Sequence, residues 1–304
     1  MTAPLTLVTG ATGAQGGATA RALLAAGYPV RVLTRNPDAR AAHDLAMRGA
    51  QIVSGDLEDR ESLRRTLTLA QAVFSVQVPD SAGTDAERRH GFALIEAALE
   101  SGVQHFVHTS VCEAGKHTSF PRWETGYWWQ KYWTDKWDIE ERVRHAGFDR
   151  WTILKPAFLM DNFAQPKAKF MFPQLRHGRI VTALRPDTRM QLFAADDVGA
   201  FACGAIVDPA RFDHCDINLA SEALTMTDVA ATLSRVLDKH VEAISVSPDE
   251  ALAAGLFPGW VRSQEWTNEI GYRADIPALA RYDVRPTQFE EWVRRHAGEI
   301  AIDR

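Results

Sequence analysis

Tyr132 and Lys136 stand four residues apart in a segment, Trp123 to Trp137, that holds five of the nine tryptophans of the chain. That spacing puts a phenol and an ammonium on one face of a helix. The pair suits carbonyl reduction: the ammonium lowers the phenol pKa and holds a ribose, and the phenol gives its proton to the substrate oxygen as hydride arrives. Ser110, at the end of the apolar run His105-Phe106-Val107-His108-Thr109, offers a hydroxyl that could orient the same oxygen. Tyr132, Lys136 and Ser110 are therefore the candidate catalytic residues. Tyr127 and Lys131 repeat the spacing just upstream, and Trp129, Trp133 and Trp137 recur every four residues. Tyr132 could thus equally be an aromatic wall.

A hydride needs a carrier, and the N-terminus offers a place for one. The apolar run Leu5 to Val8 leads into Thr9-Gly10-Ala11-Thr12-Gly13-Ala14-Gln15-Gly16-Gly17, and an Ala-rich helical segment, Ala18 to Ala26, follows. Three glycines spaced by three at a strand-to-helix turn form a dinucleotide-binding pattern. Gly10 permits the tight turn, Gly13 a close approach of backbone to phosphate, and Gly16 close packing of helix on strand. Thr12, Ala14 and Gln15 share that turn, whose exposed N–H groups face the anion.

Strands and helices then alternate. Strands are expected at 28–34, 51–54, 72–76 and 104–109, with helices at 38–48, 59–69 and 84–100 between them. This predicts an α/β protein with a Rossmann-type doubly wound parallel sheet, its ligand at the carboxyl ends of the strands. After the second strand comes Thr34-Arg35-Asn36-Pro37, where an NAD enzyme would tend to carry an acid for the ribose 2′-OH. Arg35 can instead grip a 2′-phosphate, with Asn36 beside it and Arg40 one turn on, so NADP(H) is expected in preference to NAD(H). Asp56 could bond the adenine amino group while Leu57 covers the ring, or Asp56 could cap the next helix. Val76, Gln77 and Val78 should border the nicotinamide ribose.

Composition narrows the function classes. The chain has 304 residues and a formal charge of -5, with no basic block, which argues against nucleic acid as a partner. No apolar run approaches the ~18 residues of a membrane span, and no signal peptide is apparent. Cys112, Cys203 and Cys215 have no metal or redox spacing, and the cytoplasm, with reduced thiols, is the expected location. His105 and His108 lie three apart on a strand and so face opposite ways, which speaks against a metal.

Read together, these stretches resemble the NmrA-like family of atypical short-chain dehydrogenases/reductases. The resemblance covers nearly the whole chain. It rests on Gly10-Ala-Thr-Gly13-Ala-Gln15-Gly16, Leu33-Thr34-Arg35-Asn36-Pro37, Gly55-Asp56-Leu57, Val73-Phe74-Ser75-Val76-Gln77 and Gly102-Val103-Gln104-His105-Phe106-Val107. Lys136 with Ile139-Glu140, Thr152-Ile153-Leu154-Lys155-Pro156 and Met160-Asp161-Asn162-Phe163 complete it. The resemblance implies that Lys136, before the Ile-Glu pair, contacts the nicotinamide ribose. It also implies that Pro156, Phe158 and Asn162 close over the nicotinamide. Many members of the family carry another residue where Tyr132 stands.

The expected organisation is a cofactor domain over 1–160, rejoined by 194–219, and a smaller α+β substrate region from 161–193 and 220–304. A helix opening at Ala194-Ala195-Asp196-Asp197 should be capped by Asp196 or Asp197. The expected function is NADPH-dependent hydride transfer to a carbonyl, quinone, imine or activated alkene of a small, apolar, aromatic substrate, with a homo-oligomer possible. The alternative is a non-catalytic NADP(H) sensor acting through a regulatory protein partner.

Overall fold

The computed structural model describes residues 3–79 and 83–303. Its centre is a seven-stranded sheet in the order β3-β2-β1-β4-β5-β6-β10, with every pairing parallel. The strands are β1 (Thr6–Val8), β2 (Val30–Thr34), β3 (Gln51–Ser54), β4 (Ala72–Ser75), β5 (His105–Thr109), β6 (Arg150–Pro156) and, later in the chain, β10 (Cys215–Leu219). Between them run α1 (Ala14–Ala25), α2 (Arg40–Met47), α3 (Arg60–Leu67), α4 (Ala86–Glu100) and α5 (Gln130–Arg144). β1, β2, β4 and β5 are buried along their whole length, because helices cover both faces of the sheet. Chain order reverses between β1 and β4, and the crevice at that switch point is where such sheets bind ligands. The α/β class and the parallel sheet expected from the alternation are the ones observed.

The glycine turn is sterically closed. Gly10 has φ +59, and a Cβ there would lie 2.5 Å from Val76 Cγ1. A Cβ on Gly16 would lie 2.4 Å from the Thr9 carbonyl oxygen. On Gly13 the nearest atom would be the Gly10 carbonyl oxygen at 3.3 Å, so the protein itself demands least there. The Thr9 side chain ties the turn to the sheet by accepting the Val76 N–H at 3.0 Å.

After β6 the chain forms β7 (Phe158–Leu159), α6 (Ala168–Met171), β8 (Arg179–Thr182) and β9 (Met190–Phe193). Next come α7 (Ala195–Val207), β10, β11 (Glu222–Leu224), α8 (Met226–Leu237) and β12 (Glu242–Ser245). The chain closes with α9 (Pro248–Ala253), α10 (Pro258–Glu269) and α11 (Phe289–His296). β7, β9 and β11 make a small mixed sheet, and β8 pairs with β12. Leu175, Val229, Trp260, Phe289 and Trp292 belong to one buried cluster in this part of the chain. α7 packs so closely on α1 that a Cβ on Gly199 would lie 2.5 Å from the Ala18 carbonyl carbon.

The α7 cap differs from expectation. Its N-cap residue is Ala194, which gives no side-chain bond. The Ala195 N–H instead donates to the Asp161 carboxylate at 2.9 Å. Asp197 accepts from the Thr287 N–H and hydroxyl, and Asp196 pairs with Arg21 at 3.0 Å. A carboxylate from a distant loop thus does what a local one was expected to do.

Candidate active site

A cavity of about 410 Å³ opens at the carboxyl ends of β4, β5 and β6. Gln15 borders it from the start of α1, and Val76, Gln77 and Val78 border it from the end of β4. Ser110 follows β5, Tyr132 and Lys136 come from α5, and Pro156, Phe158 and Asn162 follow β6. The later chain supplies Met171, Phe257, Trp260, Ser263 and Tyr272. Candidates from five separate stretches of sequence therefore meet in one space.

Ser110 is fixed by its backbone, whose N–H donates to the Leu154 carbonyl at 2.8 Å. Its Oγ is buried and has no hydrogen-bond partner among the described residues. A buried hydroxyl without a partner is costly unless something else supplies one, and here it borders a cavity. Gln77 donates through Nε2 to Ser75 Oγ at 3.0 Å, while its Oε1 has no partner among the described residues. Ser75 Oγ also lies 3.2 Å from His108 Nδ1. Burial, with Lys136 nearby, pushes His108 down to about 3, so its ring is neutral. Thr109 donates to Gln15 Oε1 at 2.7 Å, which ties α1 to β5.

Lys136 has a protein partner that its own stretch of sequence does not mark. Its Nζ donates to Glu87 Oε1 of α4 at 2.7 Å, and both side chains are buried. It lies 5.1 Å from the centre of the Tyr132 ring, above its face. Burial pushes the Tyr132 phenol above its ordinary value, and the Glu87 carboxylate pushes it further. The expected lowering by Lys136 is therefore not found, because the ammonium is spent on Glu87 and stands over the ring. Tyr132 stacks on Trp129 at 5.5 Å and meets Trp133 edge-on at 5.3 Å.

The duplicate pair resolves cleanly. Tyr127 donates to Glu265 and sits between Arg122 and Arg262, at 3.6 and 3.9 Å. Lys131 pairs with Asp135 at 2.8 Å. Neither Tyr127 nor Lys131 borders the cavity.

The remaining candidates lie towards the other half of the crevice. The α1 N-terminus has no side-chain cap and no acid in its first turn, which leaves the positive end of the helix open to an anion. Arg35 and Asn36 are exposed at the end of β2, and Arg35 makes no hydrogen bond or ion pair with another described residue. Arg40 is exposed, with Asp44 at 4.0 Å. A second cleft of about 510 Å³ runs between the glycine turn and α2, bordered by Thr12, Gly13, Arg21 and Arg48. Gly10, Ala14, Gly16, Arg35, Asn36, Arg40, Asp56 and Leu57 border neither space.

Asp56 is not the helix cap. Asp59 caps α3, accepting from the Glu61 and Ser62 N–H groups, while Asp56 Oδ1 accepts the Glu58 N–H at 3.0 Å. Leu57 is partly buried against the core under the sheet.

The NmrA-like family pattern matches residues 3–293. The chain belongs to the NmrA-like family. It is 28% identical to (4-alkanoyl-5-oxo-2,5-dihydrofuran-3-yl)methyl phosphate reductase of Streptomyces griseus, over 97% of this chain and 99% of that one. It is 29% identical to the NAD(P)H azoreductase of Xenophilus azovorans, over 96% of this chain and 97% of that one. Its fold matches NmrA, a negative transcriptional regulator solved in complex with NADP, with TM-score 0.75 and 20% identity over 99% of this chain and 97% of that one.

In this NmrA-like chain, the residues that the resemblance singled out before and after β6 are close together. Lys136 borders the same cavity as Pro156, Phe158 and Asn162. Phe158 is 5% exposed and stacks on Trp260 at 4.9 Å, so a ring from α10 fixes it. Glu140, the acid of the Ile-Glu pair, is fully buried and binds Lys155 at 2.9 Å and Arg144 at 2.7 Å. That network locks α5 to β6 and so sets where Tyr132 and Lys136 project.

Two side chains, one on the cavity and one behind it, escaped the sequence reading. Glu87 looks like an ordinary acid in the first turn of α4, and nothing local marks it as the partner of Lys136. Tyr272 stands in no motif or spacing that would mark it. It is a second phenol on the cavity, raised well above its ordinary pKa by burial, with Tyr132 adding to the shift.

Proposed function

We propose that this chain is an NADPH-dependent reductase. It would pass hydride to a carbonyl, quinone, imine or activated alkene of a small, apolar, aromatic substrate. The observation that carries this reading is the unpartnered Ser110 Oγ, set on one cavity with Tyr132 and Lys136 at the carboxyl ends of the central strands. Reductases among its relatives match it over nearly the full length of both chains, which supports the reading.

The residues present fit a nicotinamide dinucleotide. The glycine turn and uncapped α1 N-terminus suit a pyrophosphate, and the exposed Arg35, unpaired among the described residues, suits a 2′-phosphate. When bound, the cofactor supplies the hydride. Ser110 would orient the substrate oxygen by hydrogen bonding. Tyr132 would hold a proton on its phenol and donate it to that oxygen. Lys136, steadied by Glu87, would hold the ribose. The aromatic side chains from 220–304 would exclude water and supply the substrate side of the cavity.

The test is NADPH consumption over a panel of quinones, aldehydes, ketones, imines and enones. Turnover of at least one class is expected. Tight NADPH binding with no consumption of any acceptor would overturn the reading. It would favour the second one, a non-catalytic redox sensor acting through protein contacts. One observation favours that alternative: the Tyr132 phenol is made a weaker acid, not a stronger one.

Arg35→Ala tests the cofactor preference separately. Loss of a charge-assisted contact is worth roughly 1.5–3 kcal/mol, so NADPH affinity should fall by about ten- to a hundredfold with NADH affinity little changed. Equal losses for both cofactors, measured by titration, would remove Arg35 from 2′-phosphate recognition.

A further inference from the structure

We propose that Glu87 is a specificity-determining residue: by neutralising Lys136 it makes the cavity accept an uncharged aromatic ligand and reject the anionic analogue of the same shape. The proposal deepens the reductase reading and rests on this cavity being the substrate site.

Lys136 is the charged side chain of the cavity lining among the described residues. An ammonium there would ordinarily attract a carboxylate or phosphate. Here its Nζ is 2.7 Å from Glu87 Oε1, with side-chain exposures of 9% and 5%. Glu87 does not itself border the cavity, so it stands behind the ammonium as a built-in counter-ion. For an anionic ligand to pair with Lys136, it would have to share or displace that contact, leaving a buried carboxylate underpaired. Stranding a buried charge is strongly unfavourable.

Neighbouring cations cannot take over. Lys131 is paired with Asp135 at 2.8 Å and Arg88 with Asp138 at 3.2 Å. Lys155 and Arg144 share Glu140. Each of these four cations already has its acid. What remains for a ligand is apolar or neutral: the rings of Trp129, Phe158 and Trp260, the hydroxyl of Ser110, and an apolar mouth where Val78 is 80% and Phe257 42% exposed. Rejection of one ligand by the unpaired charge it would create is a specificity device in its own right.

The experiment compares two probes of one shape, 2-acetylnaphthalene and 2-naphthoate. Their binding to the full chain saturated with NADP is measured by calorimetry. The parent should bind the neutral ketone about tenfold or more tightly than the carboxylate. Glu87→Gln keeps the side-chain size and frees the ammonium, so it should shift that ratio towards the carboxylate by about tenfold. The double variant Glu87→Gln with Lys136→Met removes both charges and, with NADP raised until this variant too is saturated, should return the ratio to the parent value. Equal or tighter binding of the carboxylate by the parent would overturn the proposal, and that arm does not depend on any variant folding. A folded Glu87→Gln protein with the parent ratio would overturn it too. Binding of neither probe, while other acceptors still consume NADPH, overturns this inference alone. Binding of neither with no NADPH consumption overturns the reductase reading as well.

Discussion

Tyr132→Phe is expected to slow NADPH-dependent reduction of a carbonyl by about 10²–10⁴-fold, the range a positioned general acid contributes, with NADPH affinity unchanged. The substitution removes one oxygen and keeps the ring. The stack on Trp129, the edge contact with Trp133 and the Lys136 ammonium over the face all survive, so the fold should not respond. The pH profile gives a second readout. Burial and Glu87 hold the phenol above its ordinary value of 10.0, so its proton is retained throughout the neutral range. A fall in kcat/KM from losing that proton therefore belongs above pH 10.0. A limb near neutrality that persists in the variant would belong to another group. Activity within a factor of about three of the parent would make Tyr132 a wall, since such a loss is far below the contribution of a general acid. Tyr272→Phe would then be the next variant to measure.

Lys136→Ala should cost more in stability than its exposure suggests. The ammonium pairs with a carboxylate that is itself buried, and removing one partner leaves the other uncompensated. Breaking such a pair costs about 3–5 kcal/mol, read as a lower denaturant midpoint. Lys136→Met combined with Glu87→Gln should recover most of that loss, because no bare charge remains. A double-mutant cycle over the two sites isolates the coupling. A single variant as stable as the parent would mean that water reaches Glu87 and that the pair is not buried in solution.

Much of the cofactor half was legible because local chemistry dictates it. Gly10 needs φ above zero and Gly16 has no room for a Cβ, so both are marked in the sequence by residue type. The strand read at 51–54 is observed at Gln51–Ser54, and the helix read at 59–69 at Arg60–Leu67, since each is bounded by turn residues. Legibility failed where the partner is distant. Glu87 meets Lys136 across 49 residues, Asp161 caps α7 across 34, and Asp197 binds Thr287 across 90. Nothing at those positions marks a side chain turned inward. The small sheets were also unread, because β7 has two residues and β11 three, too few to show a period of two. For Tyr132 the spacing was legible but its electrostatics were not. The phenol shift depends on where Glu87 sits, and that follows from how α4 packs on α5.

In the proposed reaction, hydride leaves a nicotinamide bound in this chain and arrives on a substrate in the cavity. The most direct measurement is label transfer from NADPH deuterated at C4 to an aldehyde, ketone, imine or enone that is consumed, followed by mass spectrometry of the product, since a hydroquinone would exchange the label with water. One deuterium is expected on the reduced carbon, delivered from one face of the ring only, with transfer strongly slowed in Tyr132→Phe for a carbonyl acceptor. NADPH that binds tightly but passes no label to any acceptor would contradict it.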